Sequence, residues 1–189
     1  MPLISLSATF LYLYFFLPSH TPLVGVKQTP AIVHEAIPAV YTPVPSQLKI
    51  ASINVSASVE PVGLTDSGDM DIDDNPEGIA WYKLGPKPGE EGSAVLAGHY
   101  GWKNGVPSVF NDLNKLVKGD KITSIGDDGK EKTFIVTRTA VYTPNQDATD
   151  VFKSDDGKAH LNLITCQGSW NNSAQTYSER LVIFTDLLV

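Results

Sequence analysis

Three side chains in this sequence could together carry out acyl transfer through a thioester. Cys166 is the only cysteine among the 189 residues, and it closes the strand-like run 159–166, just before a polar segment. A thiolate attacks carbonyl carbon readily, but a reactive cysteine needs a base or a cation nearby and some access to solvent. A buried structural cysteine is the alternative, since free cysteines are often buried. The polar segment after Cys166 favours the reactive interpretation.

His99 is the predicted acid and base for that cysteine. It follows a short apolar run and a glycine, where a strand would end and a loop would begin. His20 and His34 lie in segments too flexible for catalysis, and His160 starts the cysteine's own strand, about 20 Å from Cys166. Elimination therefore favours His99, although a surface or core role is the common fate of a histidine.

Arg180 is the predicted cation of the site. It opens the last strand-like run beside apolar residues, where a fixed charge could stabilise the oxyanion formed when a thiol attacks a carbonyl. A surface ion pair with Glu179 or Asp186 is the alternative. Arg138 is the competing arginine, and it ranks lower because it lies in the middle of a strand-like run.

The elements that must position these residues are mostly strands. Two runs on either side of Asp128-Gly129 predict a β-hairpin, and further short apolar runs lie at 93–98, 159–166 and 180–189. Only the segment 106–119 has a helical pattern, which ends at Gly119. Many short strands without alternating helices predict an all-β fold, a closed or nearly closed barrel. Period-two alternation predicts a half-buried strand at Ile53, Val55, Ala57 and Val59.

The N-terminal third has a different character. Residues 1–17 contain no charged side chain, and they predict an uncleaved signal-anchor or transmembrane segment, although the apolar stretch is shorter than the roughly 20 residues of a spanning helix. Residues 18–46 carry six prolines and predict an extracellular linker. The remaining residues, 47–189, are predicted to form one folded domain. The expected location is the cell membrane, with a single pass and the domain outside.

Charge argues against nucleic acid as a partner, because the formal net charge is −7 and the pI is about 4.9. An acidic surface repels phosphate. The acidic run 66–77 begins like a calcium-binding loop, but Asp74 stands at the required glycine position and Ala80 at the required glutamate position. The run therefore predicts a solvated loop, and neither a metal nor a cofactor is expected.

With these residues in hand, the chain from 45 to 189 resembles the sortase family. The family signature is a strand ending in T-L-x-T-C, an arginine opening the next strand, and an earlier histidine after a glycine. Asn162 replaces the first threonine of the motif here. The matching positions are Leu163, Thr165, Cys166, Arg180 and His99.

The resemblance implies an eight-stranded sortase β-barrel with one or two short helices, closest to classes D, E and F, with F as our best estimate. It implies a cysteine transpeptidase, a thiol peptidase of the hydrolase class, that acts on LPxTG-like sorting motifs of exported proteins. Cys166 would attack the threonine carbonyl, His99 would protonate the leaving amine, and Arg180 would hold the oxyanion or the substrate backbone. An amine of a peptidoglycan precursor or a pilin would then resolve the thioester.

Four further residues are expected to contact substrate. Thr165 precedes the nucleophile and would line the pocket. Val151 and Phe152 interrupt the polar connection 144–158, so they form either a small satellite core or one wall of a groove; the resemblance favours a wall beside the Leu-Pro part of the sorting peptide. Trp170 would cover the acceptor side.

Two rival functions differ in testable ways. An L,D-transpeptidase is also exported, β-rich and cysteine-dependent, but its pattern places histidine, glycine, cysteine and arginine within a few residues, whereas Gln167 and Gly168 follow Cys166 here. A non-catalytic surface-binding β-module would leave Cys166 buried and inert.

Overall fold

Eight strands close into a single barrel in the computed structural model, which describes residues 41–72, 74–101 and 107–189. The strand order around the barrel is β1-β2-β3-β4-β7-β8-β6-β5. This confirms the predicted all-β, closed eight-stranded architecture. The strands are β1 (Pro45–Ile50), β2 (Val55–Val62), β3 (Ile79–Tyr82), β4 (Gly92–Gly98), β5 (Lys121–Gly126), β6 (Glu131–Tyr142), β7 (Ala159–Asn171) and β8 (Thr176–Leu187).

The predicted anchor, 1–17, lies outside the described residues, as does the predicted linker up to residue 40. Strand β1 begins at Pro45, so the last two residues of the predicted linker belong to the first strand. Among the residues that the structure describes, no helix is long and apolar enough to span a bilayer.

Strand pairing follows the turn chemistry of the sequence. The β5–β6 hairpin closes through Gly129, whose φ of 77° suits glycine, and through a 2.9 Å hydrogen bond from the Gly126 N–H to the Lys130 carbonyl. The hairpin predicted at Asp128-Gly129 is therefore present. Two pairs are parallel, β2 with β3 and β4 with β7, and the second of these brings the ends of distant chain segments together.

The barrel interior is filled by alternate residues of the strands and by apolar side chains from the connection between β4 and β5. Phe110 and Leu113 are fully buried in the same cluster as the strand residues Leu96, Leu163 and Ile183. Burial of a side chain of this size stabilises the fold by about 1.5–3 kcal/mol. A second, smaller cluster lies outside the barrel, where Val182 and Phe184 of β8 pack with Tyr142 and Val151.

Two local predictions are wrong. The alternating run around Ile53 is not one strand, because a 3₁₀ turn (Ala51–Ile53) and Asn54, at φ 54°, separate β1 from β2. The predicted helix is a 3₁₀ turn (Leu113–Lys115) in an irregular segment over its described residues, although Phe110 and Leu113 do both face the core. One short helix, α1 (Thr149–Phe152), lies instead in the connection 144–158.

His160 joins the start of β7 to two carboxylates. Its Nδ1 lies 2.9 Å from Asp186 Oδ1 and its Nε2 lies 2.9 Å from Asp156 Oδ1, while the side chain is only 14% exposed. Burial of the ring opposes protonation, but the hydrogen bond and charge of Asp156, together with the hydrogen bonds to Asp186 and to the Thr185 carbonyl, outweigh it and raise the pKa of His160. The same contact with His160 lowers the pKa of Asp156.

This arrangement predicts a pH-dependent contribution to stability. Because the folded pKa of His160 is above its unfolded value, the stabilisation is complete below about pH 6 and is lost as the pH rises through the folded pKa. The difference in melting temperature between wild type and His160→Gln should therefore shrink from acid to mildly alkaline pH. A difference that stays constant over this range would show that His160 contributes by packing alone.

Candidate active site

Cys166 and Arg180 face one another across two neighbouring strands. The antiparallel register of β7 and β8 pairs Cys166 with Arg180, and the register of β6 and β8 pairs Arg180 with Tyr142. Directly paired residues project from the same face of a sheet. The three side chains thus form a row across β7, β8 and β6 on the outer surface of the barrel.

Neither residue marks a strand end, contrary to the sequence-based expectation. Strand β7 continues past Cys166 to Asn171, and β8 begins at Thr176, four residues before Arg180. The polar segment after the cysteine pairs with β8 as the outer part of a hairpin. The register shifts between Gln167 and Trp170, close to Gly168 with its φ of 83°. This irregularity bends the hairpin immediately beyond the cysteine.

The electrostatics of the thiol require a separate base. Burial raises the pKa of Cys166, and the charge of Arg180 lowers it by a smaller amount, so the net shift is upward. The thiol is therefore protonated at neutral pH, and a thiolate must be produced by proton transfer at the moment of attack.

Arg180 is held by its own strand and not by an ion pair. Its Nη1 donates to the carbonyls of Tyr177 (3.1 Å) and Glu179 (3.0 Å), and its Nη2 donates to Thr176 Oγ1 (3.0 Å). Asp186, the alternative partner considered for it, binds His160 instead. Within the described part of the chain no carboxylate pairs with Arg180, so its charge is available to an anion beside Cys166.

His99 follows directly after β4 and is fixed through its backbone. The Phe110 N–H donates to the His99 carbonyl at 3.1 Å, and Thr165 Oγ1 donates to the Gly98 carbonyl at 2.8 Å. Gly98 allows this packing, because a Cβ there would lie 2.5 Å from Phe110 Cδ2. Buried Thr165 thereby ties the end of β4 to the strand of the nucleophile.

Two cavities meet at Cys166. The first, which we call the groove, has a volume of about 550 Å³. The second, the aromatic pocket, has a volume of about 500 Å³ and includes both Cys166 and His99. Residues of the groove include Val151, Phe152, Ile164, Thr165, Cys166 and Arg180.

Three aromatic rings in edge-to-face contact form one side of the aromatic pocket. Trp170 meets Tyr177 edge to face at 5.1 Å between ring centroids, and Tyr177 meets Tyr100 in the same way at 5.4 Å. Trp170 is 46% exposed, so its indole has a free surface for a ligand. Trp170 was expected at the site from the sequence, whereas the two tyrosines were not, although Tyr100 stands next to His99.

Val151 and Phe152 lie in the satellite core and also line the groove, and their contact with substrate stays a prediction. Val151 is 1% exposed and belongs to the satellite core outside the barrel. Phe152 is half-buried and meets Tyr82 edge to face at 5.7 Å. Both also line the groove, so the satellite core supports its wall.

Arg138 lines neither cavity, whereas the acidic run 66–77 reaches the groove, where Asp69 forms part of the lining. Arg138 pairs with Asp150 at 2.7 Å and its guanidinium lies over the Phe184 ring, 3.3 Å from the centroid. Over the part of the chain that the structure describes, no group of three or more histidine, cysteine or acidic side chains is placed to hold a metal ion.

The chain resembles one protein family both in sequence and in structure. The sequence pattern of the Sortase domain family matches residues 48–188. No curated protein shows significant similarity to the chain. Similar solved structures include the lid mutant of sortase A from Corynebacterium diphtheriae, with 21% identity and a TM-score of 0.60 over 80% of this chain and 73% of that chain. Sortase C-1 from Actinomyces oris has 25% identity and a TM-score of 0.58 over 78% of this chain and 76% of that chain. A sortase D5 transpeptidase from Clostridium perfringens has 20% identity and a TM-score of 0.56 over 77% of this chain and 79% of that chain. Their names span classes A, C and D, so class F stays a prediction.

The environment of Cys166 predicts its alkylation behaviour. The apparent pKa read from the pH dependence of the iodoacetamide reaction should lie above that of an ordinary thiol, because burial disfavours the thiolate. Arg180→Gln should raise it further, whereas Arg180→Lys should change it less. An unchanged pKa in Arg180→Gln would show that the guanidinium does not act on the thiol.

Proposed function

The chain belongs to the sortase family of cysteine transpeptidases, and we propose that it cleaves LPxTG-like sorting motifs of exported proteins through a thioester on Cys166. The observation that carries this proposal is the position of Cys166. It lies opposite Arg180, at the junction of the groove and the aromatic pocket, and it shares the aromatic pocket with His99. One cavity can hold the acyl donor and the other the amine acceptor.

The first half-reaction forms the thioester. With the threonine carbonyl of the motif beside Cys166, His99 accepts the thiol proton and the sulfur adds to the carbonyl carbon. Arg180 stabilises the negative oxygen, since its charge has no carboxylate partner among the described residues. When the intermediate collapses, the carbon–nitrogen bond breaks and His99 gives its proton to the departing glycine amine.

The second half-reaction transfers the acyl group. An amine, from a peptidoglycan precursor or a pilin, enters through the aromatic pocket and attacks the thioester carbonyl. His99 takes a proton from this nitrogen, and the Cys166 sulfur leaves and is protonated again. The rings of Tyr100, Trp170 and Tyr177 provide an apolar surface that limits the access of water, which would otherwise hydrolyse the thioester.

The donor side of the site suits the apolar part of a sorting motif. Val151, Phe152 and Ile164 give the groove an apolar wall, against which a Leu-Pro segment can bury surface. Thr165 contributes to the same lining and keeps β4 in place. The proposal includes a single-pass membrane anchor at 1–17 and an extracellular linker from 18 up to the start of β1 at Pro45. It also includes membership of sortase class F and thiol peptidase activity.

Kinetics of a matched pair of histidine variants test this proposal. His99→Gln should lower kcat/KM for an LPxTG-like peptide by about 10²–10⁴-fold, the usual loss for an acid–base group. His160→Gln should change it less than about twofold, because six residues of β7 separate His160 from the nucleophile. Arg180→Ala should cost about 10²–10³-fold, and Cys166→Ala should abolish turnover. Equal losses in the two histidine variants, or turnover in Cys166→Ala, would overturn the assignment.

A further inference from the structure

Helix α1 forms part of the groove wall but cannot hold itself in place. It has four residues, Thr149–Phe152, and an isolated helix of this length is not stable in water. Because Val151 and Phe152 line the groove that contains Cys166, the contacts that fix α1 to the barrel also fix the shape of the groove.

Asp150 forms the first of two polar anchors. Its Oδ1 and Oδ2 accept the Tyr142 hydroxyl at 2.8 and 2.9 Å, and Oδ2 also accepts Arg138 Nη2 at 2.7 Å. Arg138 and Asp150 are 49% and 52% exposed, so their ion pair alone contributes little. The buried partner is Tyr142, which is paired with Arg180 in the register of β6 and β8. Asp150 thus links α1 to the row that contains Arg180 and Cys166.

Asn162 forms the second anchor. It is 1% exposed, and its Nδ2 donates to the Val151 carbonyl at 2.7 Å. Four residues before Cys166 on β7, it projects from the same face as the nucleophile. Its Oδ1 is buried and has no hydrogen-bond partner among the residues described, which destabilises the fold. An apolar side chain would avoid that penalty, so the gain from asparagine must come from the bond to α1.

We infer that Asp150 and Asn162 are positioning residues that hold α1 as a preformed wall for the apolar part of the acyl donor. The inference rests on the proposed function and adds the origin of donor affinity to it. Neither residue reaches the reacting atoms, so the anchors set KM for the sorting peptide and leave kcat nearly unchanged. Donor recognition then depends on the fraction of molecules in which α1 is in place.

Two charge-matched variants in the same connection separate positioning from general electrostatics. Asp150→Asn should raise KM for an LPxTG-like peptide by about tenfold, the effect expected if about one molecule in ten keeps α1 in place, with kcat within about twofold. Asp155→Asn removes the same charge from a carboxylate that makes no hydrogen bond or ion pair in the described structure, and its KM should match wild type. Tyr142→Phe removes only the hydroxyl that Asp150 accepts, and it should raise KM as Asp150→Asn does. It provides the same test if Asp150→Asn does not fold.

Amide hydrogen exchange provides a readout that does not depend on turnover. The amides of Val151 and Lys153 donate to Ala148 and Thr149 within this helical turn, and their exchange should accelerate by about tenfold in Asp150→Asn but not in Asp155→Asn. An unchanged KM, an equal KM increase in both aspartate variants, or unchanged exchange would overturn the inference. If wild type turned over no sorting peptide, the proposed function would fail, and exchange would still decide the role of the anchors.

Discussion

The site depends on the antiparallel register between β7 and β8. That register places Cys166 opposite Arg180, and the pairing of β6 with β8 places Tyr142 on the other side of Arg180. A slip of one residue would turn every side chain of one strand to the opposite face and separate the thiol from the guanidinium. The register is held by the barrel interior, where Leu163 pairs with Ile183 and both are fully buried. The inward-facing residues of β7 and β8 therefore form the core, and the outward-facing residues of the same two strands form the proposed site.

The third residue reaches the site through a different constraint. Parallel pairing of β4 with β7 brings the end of β4 to the level of the cysteine. Thr165 and Phe110 then hold the carbonyls of Gly98 and His99 by hydrogen bonds. The proposed acid–base group thus follows directly after a strand, which limits its position relative to the half-buried thiol. Because burial raises the pKa of Cys166, a displaced His99 would leave the thiol unreactive.

Sequence alone predicted the barrel, the β5–β6 hairpin and the three residues that the structure gathers around the two cavities. These features have strong local signals: period-two alternation, an Asp-Gly turn, and single residue types at the edges of apolar runs. The continuation of β7 beyond Cys166 has no such signal, because residues 168–171 are exposed and give no alternating apolar pattern. In the segment 107–119, Phe110 and Leu113 are three residues apart and both enter the core, a spacing that fits an α-helix as well as the 3₁₀ turn that forms, so the pattern could not distinguish them. Helix α1 exists through tertiary contacts of Asp150 and Val151, which no local pattern could indicate.

The central claim is that Cys166 becomes acylated by a sorting peptide, and mass spectrometry of the intact protein tests it most directly. Wild type mixed with an LPxTG-like peptide in the absence of an amine acceptor should gain the mass of the peptide truncated after threonine, with the adduct located on Cys166. The adduct should be absent in Cys166→Ala and should disappear when an amine acceptor is added. An adduct that persists in Cys166→Ala, or no adduct with any sorting peptide at any time, would contradict the account.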